Sequence, residues 1–189
     1  MTNDLKDLEV RASALLDEER WRAAIDLLMA NVRKIRKVAS LQWTLGWAQY
    51  KAGELRAAES SLRRAHELQP ENPVFLWGLA VVQDEREEYE SAEQNLLSAL
   101  RLKDSNLARI TLGALYLRQG RTAEAEAVYR DGVQLQPDHR ERWDALADFL
   151  EDVGRRREAD VLRTKSSLLP TRKERRRSLR SSAGDLPDD

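Results

Sequence analysis

The chain has 189 residues, with 32 basic against 33 acidic side chains and no cysteine. Near-neutral charge excludes a general attraction to polyanions or polycations, and the lack of cysteine excludes disulfides, zinc–thiolate sites and thiol nucleophiles. The longest apolar run, Val74 to Val82, has nine residues against the roughly 20 of a membrane span, and the N-terminal MTNDLKDLEVRAS has early acids and no apolar stretch, so no secretory signal and a cytoplasmic location are expected.

Ala, Leu, Glu and Arg dominate and proline is scarce, which favours helix. Five helix pairs are expected in chain order. The first, 5–38, carries Trp21-Arg22-Ala23-Ala24. The second, 39–72, carries Leu45-Gly46, Gly53 and Leu55-Arg56-Ala57-Ala58, and nears its end at Pro70. The third, 73–105, follows Asn72-Pro73, a capping residue with proline at the first helical position. It holds Leu79-Ala80 and Tyr89-Glu90-Ser91-Ala92, with Glu87 where glycine recurs and Asp104 where proline recurs. The fourth, 106–139, has Leu112-Gly113, Gly120, Thr122-Ala123-Glu124-Ala125 and Pro137. The fifth, 140–170, has Leu146-Ala147, Gly154, Arg156-Arg157-Glu158-Ala159 and Pro170.

The spacings between Ala24, Ala58, Ala92, Ala125 and Ala159 are 34, 34, 33 and 34 residues. A fixed period of this size marks a helical-repeat array. The small residue after each leucine lets paired helices approach closely, because a larger side chain would overpack the contact. The recurring alanine does the same from the other helix. Glycine suits the left-handed position that ends a first helix, and proline stops a second helix from running on.

These columns resemble the tetratricopeptide repeat (TPR) family over about residues 5–170. The resemblance implies an all-α, right-handed α-solenoid of about five helix–turn–helix repeats, with the first helices lining a concave groove. The first repeat has Arg11-Ala12 in the Leu-Gly columns and no closing proline, so it reads as a degenerate cap.

The resemblance further implies that the second, fifth, ninth and twelfth residues of each repeat face the groove. In the three central repeats these are Ser40, Trp43, Trp47 and Tyr50; Val74, Trp77, Val81 and Asp84; and Leu107, Ile110, Ala114 and Leu117. Ten of the twelve are apolar, and an apolar strip left in water marks an interaction site. The expected contacts are Trp43, Trp47, Tyr50, Val74, Trp77, Val81, Leu107, Ile110 and Leu117. An alternative orientation stays open: Gln42 and Gln49 occupy columns where the family prefers core aromatics, so Trp43 and Tyr50 could turn inward. The first repeat offers Lys6, Glu9, Ser13 and Leu16 in these columns. No Lys-Arg-Asn clamp for a terminal carboxylate is present, so acidic chaperone tails are not the expected ligand.

In the fifth repeat the columns hold Glu141, Asp144, Asp148 and Glu151. This acidic face is either a solvated end of the stack or a landing site for a basic ligand segment, with Asp144 and Asp148 orienting it. Beyond Pro170 a basic run includes Arg172, Lys173, Arg175, Arg176 and Arg177, followed by SSAGDLPDD. Residues 171–189 read as disordered or as a solubilising last helix. The basic run could also fold back on the acidic stripe, or bind nucleic acid or an anionic surface.

His66 and His139 lie about two repeats apart, too far to share a metal. No phosphate loop, zinc-protease motif or nucleophile motif occurs. The expectation is a non-catalytic adaptor or scaffold, without cofactor or metal, that binds an apolar or amphipathic segment of a partner protein. Binding of nucleic acid or an anionic surface through the tail is the alternative, and self-association of the apolar strip into a homodimer is a third.

Overall fold

A computed structural model describes residues 3–171, 173–175 and 177. Among these residues, up to Ser167, the chain forms eleven helices: α1 (Asn3–Asp17), α2 (Trp21–Met29), α3 (Val32–Ile35), α4 (Ala39–Lys51), α5 (Leu55–Leu68), α6 (Pro73–Glu85), α7 (Tyr89–Leu102), α8 (Asn106–Arg118), α9 (Thr122–Leu135), α10 (Arg140–Asp152) and α11 (Arg156–Ser167). The architecture is an all-α helical-repeat fold. The helices group into two compact units, one ending at Asp104 and one beginning at Ser105.

All five hairpins turn in the same way. Glu19, Gly53, Glu87, Gly120 and Gly154 take positive φ of 57°, 80°, 60°, 74° and 82°. The next N–H then reaches back to the carbonyl five residues earlier: Arg20 to Leu15 at 2.8 Å, Glu54 to Gln49 at 2.8 Å, Glu88 to Gln83 at 2.9 Å, Arg121 to Tyr116 at 2.8 Å and Arg155 to Leu150 at 2.7 Å. This six-to-one bond satisfies a carbonyl that the helix end would leave open. Glu19 and Glu87 therefore hold a left-handed turn without glycine, against the steric preference of a side-chain-bearing residue.

In the first unit the second helix of the opening repeat is broken into α2 and α3. Asn31 sits at the break and its Nδ2 donates to the Leu27 carbonyl at 2.9 Å. Such local bonding offers the backbone an alternative to helix. Ile35 still reaches the interior, in one cluster with Leu8, Ala12, Ala24, Ile25, Leu28, Leu41, Leu45 and Ala48. Helix α6 starts where Asn72 accepts from the Val74 N–H at 3.1 Å, with Pro73 leading the helix.

The small-residue columns lie where hairpin helices touch. Ala24, Ala58, Ala92, Ala125 and Ala159 have no exposed surface. A Cβ on Gly46 would stand 2.7 Å from Leu62 Cγ, and one on Gly113 would stand 2.4 Å from Tyr129 Cε2. In the second unit the Tyr129 ring packs 5.1 Å from that of Phe149, and its hydroxyl donates to the Ile110 carbonyl at 3.3 Å. Burial pushes the Tyr129 phenol up to about 12.

Candidate partner-docking face

Helices α4 and α6 bring four large rings together in the first unit. Trp43 and Trp47 stack with centroids 5.5 Å apart and planes 15° apart. Trp47 meets Tyr50 at 5.1 Å and Trp77 at 5.3 Å, and Trp43 meets Trp77 at 6.1 Å. These separations are those of attractive ring pairs. All four rings are half-buried, as is Val81, and Val74 is exposed. Phe75, which the column reading passed over, is buried and lies 5.7 Å from Trp43.

The rings differ in what they rest on. Trp43 lies against the backbone of Gly78, where a Cβ would come within 2.3 Å of its Cζ3. It also packs against the cluster of Ala39, Ala65 and Phe75 and against that of Ala58, Leu62, Leu79 and Val82. Tyr50 joins the second of these clusters. Trp47 and Trp77 belong to neither. Trp43 is thus part of the interior on one flank and part of the surface on the other.

The columns of α4 where the family prefers core aromatics hold glutamines. Gln42 and Gln49 are both buried. Gln42 Nε2 donates to the Ile35 carbonyl at 3.3 Å, and Gln49 Oε1 accepts from the Ser61 hydroxyl at 2.8 Å. One repeat later Gln83 Oε1 accepts from Asn95 Nδ2 at 2.7 Å. Residues 49 and 83, like 61 and 95, are separated by the 34-residue period, so the same polar pairing occurs in two successive hairpins, with Asn95 half-buried. The recurrence of Gln with Ser or Asn twelve residues on was a readable signal.

In the second unit Leu107 and Ile110 are exposed and Leu117 is half-buried. The four acids of α10 that stand in the expected groove columns are engaged within the chain. Asp144 Oδ1 accepts from the Ser166 hydroxyl at 2.6 Å, and Asp144 lies 3.6 Å from Arg140 Nε. Arg163 donates to Asp148 at 3.0 Å and also to Glu151. Hydrogen bonding from Arg163 holds the Glu151 carboxyl below the usual range. Burial pushes Glu141 up, but the hydrogen bond and charge of Arg175 outweigh it, and its carboxyl also ends low.

Arg175 makes that contact from the basic run, with Nη2 2.6 Å from Glu141 Oε2 and Nη1 2.7 Å from the Pro170 carbonyl. Lys173, Glu174, Arg175 and Arg177 are helical in a segment expected to be disordered or helical. The start is a capping box: Glu174 accepts from the Thr171 N–H at 2.6 Å, and the Glu174 N–H donates to Thr171 Oγ1 at 3.3 Å. Arg172 and Arg176 lie outside the described residues, as does 178–189. Among the described residues, no helix is long and apolar enough to cross a membrane, and no three His, Asp or Glu side chains gather to hold a metal.

Two tetratricopeptide repeat family models match the chain, one over residues 44–106 and one over 107–149. The chain belongs to the tetratricopeptide repeat family. Its TPR relatives include the TPR repeat-containing protein PA4667 of Pseudomonas aeruginosa, 26% identical over 132 residues, which are 69% of this chain and 22% of that protein. The matched TPR region thus spans about a fifth of the relative's length. Among solved structures, TTC0263, a TPR protein of Thermus thermophilus, superposes with a TM-score of 0.67 at 20% identity, covering 85% of this chain and 89% of that one. MamA from Desulfovibrio magneticus RS-1, residue 41 to its end, gives 0.67 at 16% identity, with 89% and 96% covered. Another MamA structure gives 0.64 at 17% identity, with 97% of each chain covered. At these identities the likeness speaks to the TPR fold alone.

Proposed function

We propose that this TPR chain is a non-catalytic, cytoplasmic scaffold that docks an apolar or amphipathic segment of a partner protein on the aromatic face of α4 and α6. The observation that carries this reading is the cluster of Trp43, Trp47, Tyr50 and Trp77, whose rings touch one another and remain half-buried. Apolar surface of this kind beside polar neighbours is the usual make-up of an interface centre and its rim. Aromatic side chains supply much of the binding energy at such centres. Leu107, Ile110 and Leu117 form a second candidate contact in the other unit.

The test is affinity capture of partners with the wild-type chain and with Trp47→Ala/Trp77→Ala in parallel. These two indoles are chosen because Trp43 also supports the interior. The reading expects loss of capture with helicity and cooperative melting retained. Undiminished capture by the folded double variant would overturn it. Sedimentation at several concentrations decides whether a second copy of the chain is the occupant.

A further inference from the structure

We infer that the stretch from Met29 to Lys37, around the short helix α3, is a binding surface for the anionic headgroups of a lipid bilayer. From Leu27 to Gly53 the sequence has five basic residues and no acid, and four of them, Arg33, Lys34, Arg36 and Lys37, fall within five positions. All four are exposed, whereas Ile35 between them has no exposed surface. With Ile35 turned inward, the helical period turns Arg33 outward and sends Lys34 and Arg36 to opposite flanks. Arg36 and Val32 line a cleft against α5 with Ser60, Arg63, Arg64 and Glu67, and Arg64 Nε donates to the Arg36 carbonyl at 3.3 Å. Lys34 lies on the α1 side, 3.9 Å from Asp4.

The nearby acids are already matched. Asp4 pairs with Lys34, Glu59 with Arg63, and Glu67 with Arg64 at 2.9 Å. Among the described residues, Arg33, Arg36 and Lys37 enter no ion pair. Three uncompensated cations therefore stand beside Met29 and Val32, which are 47% and 44% exposed. The cations call for a polyanion, and the two apolar side chains decide which. A bilayer meets both, offering charged headgroups to the cations and the boundary beneath them to the apolar groups. A nucleic-acid backbone gives Met29 and Val32 nothing, and residues 22–42 hold no aromatic ring on which a base would stack. An acidic peptide lodged in the cleft would bring its carboxylates up to Glu67, which lines it. A flat surface touches only the outer rim, where the charge is unmatched.

The experiment is flotation of the full chain with vesicles of phosphatidylcholine alone and with about one third phosphatidylglycerol added. The inference expects flotation with the anionic vesicles only, falling steeply as salt is raised. Arg33→Gln/Arg36→Gln/Lys37→Gln should lower partitioning about a hundredfold. All three side chains are exposed, so the helical signal and melting should stay as in the wild type. Met29→Gln/Val32→Gln should weaken binding several-fold and leave its salt dependence unchanged. Lys173→Gln/Arg177→Gln and Trp47→Ala/Trp77→Ala should float like the wild type, which separates this surface from the basic run and from the aromatic face. No flotation with anionic vesicles, equal flotation with neutral ones, or flotation unchanged in the triple variant would overturn the inference. So would tighter binding of an oligoglutamate peptide or a single-stranded RNA that the triple variant loses, since the patch would then serve another polyanion. The docking reading is tested on different residues and stands or falls separately.

Discussion

The Ser61 hydroxyl donates a 2.8 Å hydrogen bond to Gln49 Oε1 between α5 and α4, with both side chains buried. The pair matters because it fills a place inside the hairpin with two polar groups that satisfy each other. The equivalent positions in the fifth repeat, one 34-, one 33- and one 34-residue step along, are Leu150 and Leu162. The fold therefore accepts an apolar pair at this place, but half of a polar pair should be worse than either.

Ser61→Ala should cost about 1–3 kcal/mol, because it leaves a buried amide oxygen unpaired. Gln49→Leu combined with Ser61→Ala should recover much of that loss. Urea denaturation of the two variants checks the order. A double variant less stable than Ser61→Ala alone would show that the pair contributes more than mutual satisfaction.

Glu87 occupies a left-handed turn at φ 60°. Glu87→Gly should stabilise the chain by roughly 0.5–1 kcal/mol, the strain removed exceeding the entropy that glycine adds to the unfolded chain. A thermal melt of the variant gives the sign directly. An unchanged or lower midpoint would mean that the glutamate side chain makes compensating contacts.

The two stacked indoles of α4 should separate when truncated one at a time. Trp43→Ala opens space over Gly78 and beside two core clusters, so it should cost about 3 kcal/mol or more. Trp47→Ala should cost about half as much. Chemical denaturation followed by circular dichroism tests this, since both variants retain the helical signal. Equal losses would place Trp47 in the interior as firmly as its neighbour.

Arg163 holds the Glu151 carboxyl below its ordinary 4.5 through a hydrogen bond and charge. A carboxyl with a lower pKa folded than unfolded contributes stability above about 4.5, and the contribution fades as pH falls through the folded value. Arg163→Gln should therefore return the Glu151 titration toward 4.5 and flatten the stability profile on the acid side. Carboxyl-resolved nuclear magnetic resonance titration reads the first effect. An unmoved Glu151 would show that the pair does not persist in water, as exposed pairs often do not.

The fold was legible because its signals repeat. Five alanines one period apart mark the contacts where helices touch, and the Leu-Gly and Leu-Ala pairs mark the opposing surface. What was less legible depended on single deviations. Glu19 and Glu87 take over the turn from glycine because the six-to-one hydrogen bond and the hairpin packing impose it, which no local preference of glutamate announces. The break between α2 and α3 falls at one asparagine, Asn31, whose side chain donates to the Leu27 carbonyl. At the candidate face, spacing located Trp43, Trp47, Tyr50 and Trp77 on one side of two helices. It could not apportion them between surface and interior, because that depends on Gly78 lying across from Trp43 in the next repeat. On α10 the column pattern showed four acids but not Arg163, Ser166 and Arg175, which arrive from elsewhere and engage them.

On the docking reading proposed above, the seating of Trp43 on Gly78 would tie recognition to foldability. A change at this indole is judged twice, first by whether the hairpins still close on each other and only then by what they hold. Divergence toward new ligands has more freedom at Trp47 and Trp77, and a lineage of such chains that altered its targets would be expected to vary there while Trp43 and Gly78 changed only as a couple.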